Sequence, residues 1–381
     1  TIDGRELLAF TGCNYLALAW HPAVQRALHD GLARYGLTTS SSRETTGNTT
    51  LHDELDASVA RFCGAEAAAV VPEGFAANLA MAQTLAARGV RTAVIDERSH
   101  RSLRTAAEAA GLRVALSPHL DHTGALRLLR EYAGGDGTTV AFLTDGVFTA
   151  DGSMAPAREV LAALPEGATL VVDDCHGLFA MGPGARGTLA HLSVLTRADA
   201  DTGGAWRLRD ERDVARLVIT STMAKGLGCY GGFVAGSAEF IATLRRHAGA
   251  YIGTTPAPPP MAAAALEALR VIDREPGLLA SLARNVQHTR EVFTRLGLPV
   301  PVEPSPIFYF TLAPAGLMER LRDDMLAAGL FVPLIEYPGA AEARYFRVTV
   351  NASHTPEQIE RLGRELARCL PRSAVVLSRA V

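Results

Sequence analysis

Leu217-Val218-Ile219-Thr220-Ser221-Thr222-Met223-Ala224-Lys225-Gly226-Leu227-Gly228 is the stretch on which the fold turns. A β-branched, apolar run of strand length empties into a Gly-rich turn, and the turn carries a lysine. Lys225 is the only lysine in the 381 residues; every other member of the 37 Lys and Arg side chains is arginine. Arginine substitutes for lysine in surface charge, but its guanidinium stays protonated and is no amine nucleophile. A single lysine at the end of a buried strand points to chemistry at its amine, with the hydroxyls of Ser221 and Thr222 beside it. A solvated loop lysine has the same local signature.

Runs of the same kind punctuate the chain at Ala67 to Val71, Thr92 to Ile95, Thr139 to Thr144, Thr169 to Asp173 and Gly232 to Ala235. Helix patterns rich in Ala, Leu and Arg separate them, for example Asn78 to Arg88 and Ser102 to Ala110. Strands that are apolar on both faces and alternate with helices predict an α/β fold with a mainly parallel sheet between helices. Pro256-Ala257-Pro258-Pro259-Pro260 is followed by one long helical pattern to about Leu296, just before Gly297. Beyond Val300 the pattern changes to a strand over Ile307 to Leu312, a helix near Gly316 to Ala328, a strand over Tyr345 to Val350 and a final helix from Thr355. The expected division is an N-terminal segment (1–45), a large domain (46–275) and a smaller C-terminal α+β domain (276–381).

Composition narrows the partners. Hydrophobic residues make up 48% of the chain, enough for a sizeable core. A net charge of −3 without any run of five like charges argues against nucleic acid or membrane as partner and favours a small-molecule substrate. Cys13, Cys63, Cys175, Cys229 and Cys369 are scattered outside any C-x-x-C pair, which predicts neither a disulfide framework nor a zinc site, and a cytoplasmic setting. No apolar stretch reaches the roughly 18 residues of a membrane span.

Other candidate residues cluster at strand ends. Val171-Val172-Asp173-Asp174-Cys175-His176-Gly177 closes a strand with carboxylates and a histidine, a pattern equally compatible with a metal ligand set or a helix cap. Val71-Pro72-Glu73-Gly74-Phe75-Ala76-Ala77-Asn78 reads as strand, turn and helix, with the Gly74 and Phe75 amides at a helix N-terminus suited to a phosphate. A simple turn explains that glycine as well, and Glu73 is an unfavourable neighbour for an anion. His100 follows the Ala93-Val94-Ile95 strand, where an exposed loop histidine is also expected. Arg347, between apolar residues in the small domain, is placed either to clamp a carboxylate bidentately or to reach solvent from an edge strand.

In their order along the chain these segments resemble the α-oxoamine synthases, fold-type-I pyridoxal-phosphate enzymes that include 8-amino-7-oxononanoate synthase, 2-amino-3-ketobutyrate CoA ligase, 5-aminolevulinate synthase and serine palmitoyltransferase. The resemblance spans almost the whole chain. It is carried by Asn14-Tyr15-Leu16 with His21-Pro22, Gly47 with Leu51-His52-Asp53-Glu54-Leu55, Gly74 to Asn78 and Ser99-His100-Arg101-Ser102-Leu103. Thr144 to Gly152, Asp173 to Gly177, Thr222 to Gly232, Thr254 to Pro259 and Arg347-Val348-Thr349 continue it.

The resemblance implies that Lys225 forms an imine with pyridoxal 5'-phosphate, Asp173 pairs with the ring nitrogen, His176 contacts the phenolic oxygen and His100 stacks on the ring. It implies further that Gly74, Phe75 and Thr222 bind the phosphate, with Thr255 reaching it from the partner subunit of a homodimer, and that Asn14 and Arg347 hold the amino-acid carboxylate. The implied reaction is a decarboxylative condensation of an amino acid with an acyl thioester, giving an α-amino ketone.

Departures touch the substrates. Glu73 replaces a small or polar residue, Asp145 a glutamate and Thr149 a serine, and the connection Thr196 to Asp213 is longer than usual. An acyl carrier protein thioester in place of acyl-CoA is one expectation. Another reaction on the same scaffold (an aldolase, decarboxylase or aminotransferase) and a non-catalytic cofactor-binding protein are the alternatives.

Overall fold

The structure is a computed structural model, and it describes residues 4–134, 139–198, 204–314, 316–336, 344–370 and the backbone of 375–377. These residues form two compact units. The larger holds Leu18–Phe148 and Met154–Glu275; the smaller holds the residues up to Ala17, Thr149–Ser153 and those from Pro276 on. The stretch 1–45 is thus shared between the two units.

The larger unit is built on a sheet of seven strands: β1 (Ala67–Val71), β2 (Val90–Asp96), β3 (Arg113–Ser117), β4 (Thr139–Asp145), β5 (Thr169–Asp173), β6 (Leu217–Thr222) and β7 (Gly232–Gly236). Their order across the sheet is β1-β7-β6-β5-β4-β2-β3, and β7 alone runs antiparallel to its neighbours. Every residue of β6 and β7 is buried, as expected of strands covered on both faces. The carboxyl ends of β2, β4, β5 and β6 share one edge of the sheet, the edge at which open α/β sheets bind ligands.

Helices of this unit include α1 (Pro22–Tyr35), α2 (Thr50–Cys63), α3 (Gly74–Ala87), α4 (Arg101–Ala109) and α5 (Pro259–Arg274). α3 is apolar nearly all round, so it is buried rather than amphipathic. Its Ala77, Ala80, Met81 and Leu85 pack into a core with Val71, Val218 and Val234, and small alanines let it approach the sheet closely. α1 and α5 cross where Gly31 meets Ala263; a Cβ at Gly31 would lie 2.9 Å from the Ala263 Cβ.

The single long helix expected after the proline run is two helices, α5 and α6 (Gly277–Arg295). Pro276 explains the break: a residue before proline is disfavoured in the α region, and Glu275 has φ −122° and ψ 65°. α3 begins at Gly74, so the Gly74 and Phe75 amides stand at a helix N-terminus as the strand-turn-helix reading expected, ahead of the helical pattern from Asn78. β3 lay outside the expected strands.

In the smaller unit, β8 (Ile307–Ala313), β9 (Leu334–Ile335), β10 (Tyr345–Thr349) and β11 (Val375–Leu377) form an antiparallel sheet in the order β9-β10-β8-β11. α6, α7 (Gly316–Ala327) and α8 (Pro356–Cys369) complete it, α8 opening with a Thr355/Gln358 capping box. Of the long connection before Lys225, 199–203 lie outside the described residues; on either side Leu195–Arg197 pairs antiparallel with Trp206–Leu208. Among the described residues no helix is long and apolar enough to cross a membrane.

Candidate functional site

The four strand ends place their polar residues together. Lys225 follows β6 by three positions, and its Nζ lies 2.9 Å from Nε2 of His176, which follows β5. His176 is buried and Lys225 half-buried, so the amine is held at a definite place rather than trailing in solvent.

Asp173, the last residue of β5, is buried, and its Oδ2 accepts from Asn78 Nδ2 at 2.7 Å. Asn78 is a junction: its Nδ2 also donates to Ser102 Oγ at 2.8 Å, and its Oδ1 accepts from Thr220 Oγ1 at 2.7 Å. A buried amide with its oxygen and nitrogen both engaged fixes the Asp173 carboxylate without adding charge. Asp174, its neighbour in sequence, turns elsewhere, accepting from Thr188 Oγ1 at 2.6 Å and from the Thr188 amide at 2.9 Å. Burial pushes the Asp174 carboxyl up to about 6. The two carboxylates of the D-D pair therefore have separate tasks, one in the polar cluster and one in holding the Gly187–Thr188 turn.

The same chain of bonds reaches His100. Its Nδ1 accepts from the Ser102 amide at 3.3 Å and lies 2.7 Å from Ser102 Oγ, so the ring's proton belongs on Nε2. Desolvation lowers the imidazole's affinity for a second proton, outweighing the nearby Asp173 carboxylate, and Lys225 acts in the same direction as desolvation.

Asp145, the last residue of β4, accepts from the His100 amide at 3.0 Å and is the register partner of Asp173 on the adjoining strand. Burial, and after it the Asp173 carboxylate, pushes the Asp145 carboxyl well above its ordinary range. A carboxyl that holds its proton more tightly when folded than when unfolded makes the protein lose stability as pH rises above the normal carboxylate range. Asp145→Asn keeps an acceptor for the His100 amide and removes that titration, so it is expected to flatten the fall in stability towards neutral pH. Asp145→Ala leaves the amide unmet and is expected to cost about 1–3 kcal/mol. Urea unfolding across a pH series checks both, and an unaltered pH profile in Asp145→Asn would contradict the account.

At the neighbouring helix end, Gly74 and Phe75 open α3, and Thr222 closes β6 beside them. A Cβ at Gly74 would lie 3.0 Å from the Thr222 Cβ, so the bare turn brings backbone amides up to a hydroxyl side chain. Thr222 Oγ1 donates to the Gly231 carbonyl at 3.0 Å and accepts from the Ala224 amide at 3.2 Å. An amine, a carboxylate, a neutral imidazole and a cradle of amides and hydroxyl form a donor set suited to a phosphorylated aromatic aldehyde. Burial, with Asp173 adding to it, raises the Cys175 thiol well above its ordinary range, so it is no thiolate nucleophile here.

Three further expected residues belong to other segments, Thr255 to a loop of the larger unit and Asn14 and Arg347 to the smaller unit. Thr255 is exposed in the loop after Thr254, and buried His52 holds that loop through its Nε2, 2.8 Å from the Ala257 carbonyl. Asn14 and Arg347 belong to the smaller unit, where Ala352 donates to the Tyr15 carbonyl and brings the Asn14 segment alongside the end of β10. Arg347 donates from Nη1 to Thr149 Oγ1 at 3.0 Å, while its buried Nε has no hydrogen-bond partner among the described residues. Asn78 and Ser102 were visible in the sequence only as parts of motifs, and their roles as connectors emerge from the fold.

Comparisons with known proteins agree with one another. Residues 8–366 match the family model described as aminotransferase class I and II. A putative 8-amino-7-oxononanoate synthase from Desulforudis audaxviator is 34% identical, covering 97% of this chain and 90% of the relative. An 8-amino-7-oxononanoate synthase from Nitrosococcus oceani is 32% identical, covering 97% and 93%. Among solved structures, Sphingomonas wittichii serine palmitoyltransferase superposes with a TM-score of 0.85 at 24% identity, covering 96% of this chain and 88% of that one. This last likeness concerns the fold.

Proposed function

Since the chain belongs to the α-oxoamine synthases within the aminotransferase class I and II family, we propose that its larger unit is the cofactor-binding domain and that Lys225, Asp173, His176 and His100 form the reacting centre. The protein is a pyridoxal-phosphate-dependent acyltransferase that joins an amino acid to an acyl thioester, with loss of carbon dioxide, to give an α-amino ketone. Bound pyridoxal phosphate supplies the electron sink for the carbanion that such a condensation needs.

The residues divide the remaining work. Lys225 is the attachment point and the amine that removes the α-proton, with His176 holding Nζ in place. Asp173, fixed by Asn78, balances positive charge on the ring nitrogen, and His176 also serves the phenolic oxygen. His100, tied down through Ser102 and Asp145, presents a neutral ring as a flat platform. Gly74, Phe75 and Thr222 hold the phosphate. Arg347, a guanidinium whose Nε has no partner among the described residues, takes the amino-acid carboxylate together with Asn14. Thr255 reaches the phosphate of a second subunit in a homodimer with shared sites, and the His52 bond to Ala257 steadies its loop. The unpaired cysteines fit a cytoplasmic enzyme, and the acyl group arrives on coenzyme A or an acyl carrier protein.

One observation carries this reading: the chain's single lysine sits at a strand end, 2.9 Å from a buried histidine and in the electrostatic reach of Asp145 and His100. Its test is a paired assay. Carbon dioxide and free thiol are expected to appear together, each requiring both an amino acid and an acyl thioester. Turnover of an amino acid or keto acid without thioester would place the protein with the aldolases, decarboxylases or aminotransferases of the same scaffold.

A further inference from the structure

Glu73 has no part in the site as described, yet it occupies the helix end to which the phosphate is assigned. With φ −163° and ψ 172° it is the N-cap of α3, and its Oε1 accepts from the Ala76 amide at 3.1 Å. Ala76 follows Gly74 and Phe75, so this N–H is one of the first-turn donors that lack an intrahelical partner. Those are the donors an anion at a helix N-terminus uses. The Gly232 backbone approaches the main chain closely at this point: a Cβ at Gly232 would lie 2.3 Å from the Glu73 carbonyl oxygen and 2.7 Å from the Gly74 nitrogen. The residue is exposed, so its side chain has open space to swing into.

We propose that Glu73 is a resident competitor for the cofactor's phosphate. In the empty chain its carboxylate satisfies an α3 amide; when the phosphate binds, the carboxylate is displaced from the cap or endures a second anion beside it. The residue thereby weakens this chain's hold on the phosphorylated cofactor and leaves the Lys225 amine untouched. The inference rests on the pyridoxal-phosphate reading and concerns the phosphate alone.

Two substitutions remove the charge while keeping an acceptor for the cap: Glu73→Ser, a favoured N-cap residue, and Glu73→Gln, which keeps the side-chain length. Pyridoxal 5'-phosphate and pyridoxal, which lacks the phosphate, are titrated into each apo protein, with binding followed by absorbance of the Lys225-linked form. Both variants are expected to bind pyridoxal phosphate about tenfold more tightly than the parent chain, from relief of the competing charge at the helix end. Pyridoxal should bind to all of them alike. Unchanged or weaker pyridoxal-phosphate binding in the variants overturns the proposal, as does an equal gain for pyridoxal. If the two variants differ, or one does not fold, the other decides, with Glu73→Gln taking precedence. Failure of every protein, the parent included, to take up either compound would overturn the cofactor reading itself.

Discussion

On the proposed assignment, Lys225→Ala is expected to lose condensation activity by at least about ten-thousand-fold, because attachment of the cofactor and removal of the α-proton would depend on the same amine. No second lysine exists to take over either task. Lys225→Arg is expected to fail as badly, since a guanidinium neither adds to an aldehyde nor gives up its proton. The side chain is half-buried rather than part of the packed core, so both variants should fold with nearly the stability of the parent. Steady-state rates beside thermal unfolding curves separate the two effects. Substantial activity in Lys225→Arg would contradict the assignment.

Asp173→Asn is expected to lower kcat by about a hundred- to a thousand-fold while the cofactor is still taken up. The amide replacement fits the same space and still accepts from Asn78 Nδ2, so the hydrogen-bonded cluster joining Thr220, Asn78 and Ser102 persists. What would disappear is the negative charge proposed to keep the ring nitrogen protonated and the ring able to accept electrons. Rates at saturating cofactor check this, and a kcat within a few-fold of the parent would remove Asp173 from its role.

Legibility in the sequence followed the range of the interactions. Strands buried on both faces declared themselves through unbroken apolar runs, and the residues at their carboxyl ends came with them, hence Lys225, Asp173, His176 and His100. β3 was missed because it lies at the sheet edge with an exposed Arg113 and half-buried Val114 and Ala115, a mixed pattern without a clear period. The break between α5 and α6 was missed for the opposite reason: the apolar helix pattern continues across it, and the stop lies in the local geometry before Pro276. Asp173 rather than Asp174 was already named through the resemblance; what the sequence did not show is its partner, since Asn78 meets Asp173 across 95 positions of sequence. Glu73 read as an obstacle to an anion, and only the backbone geometry revealed it as a helix cap.

Borohydride reduction of the pyridoxal-phosphate-loaded protein, followed by peptide mapping, tests the central claim most directly. A chain with one lysine offers one side-chain amine for trapping, so the account predicts that the cofactor's mass is fixed on the peptide containing Lys225 and is absent from Lys225→Ala. No adduct on the parent chain, or an adduct that survives Lys225→Ala, would contradict it.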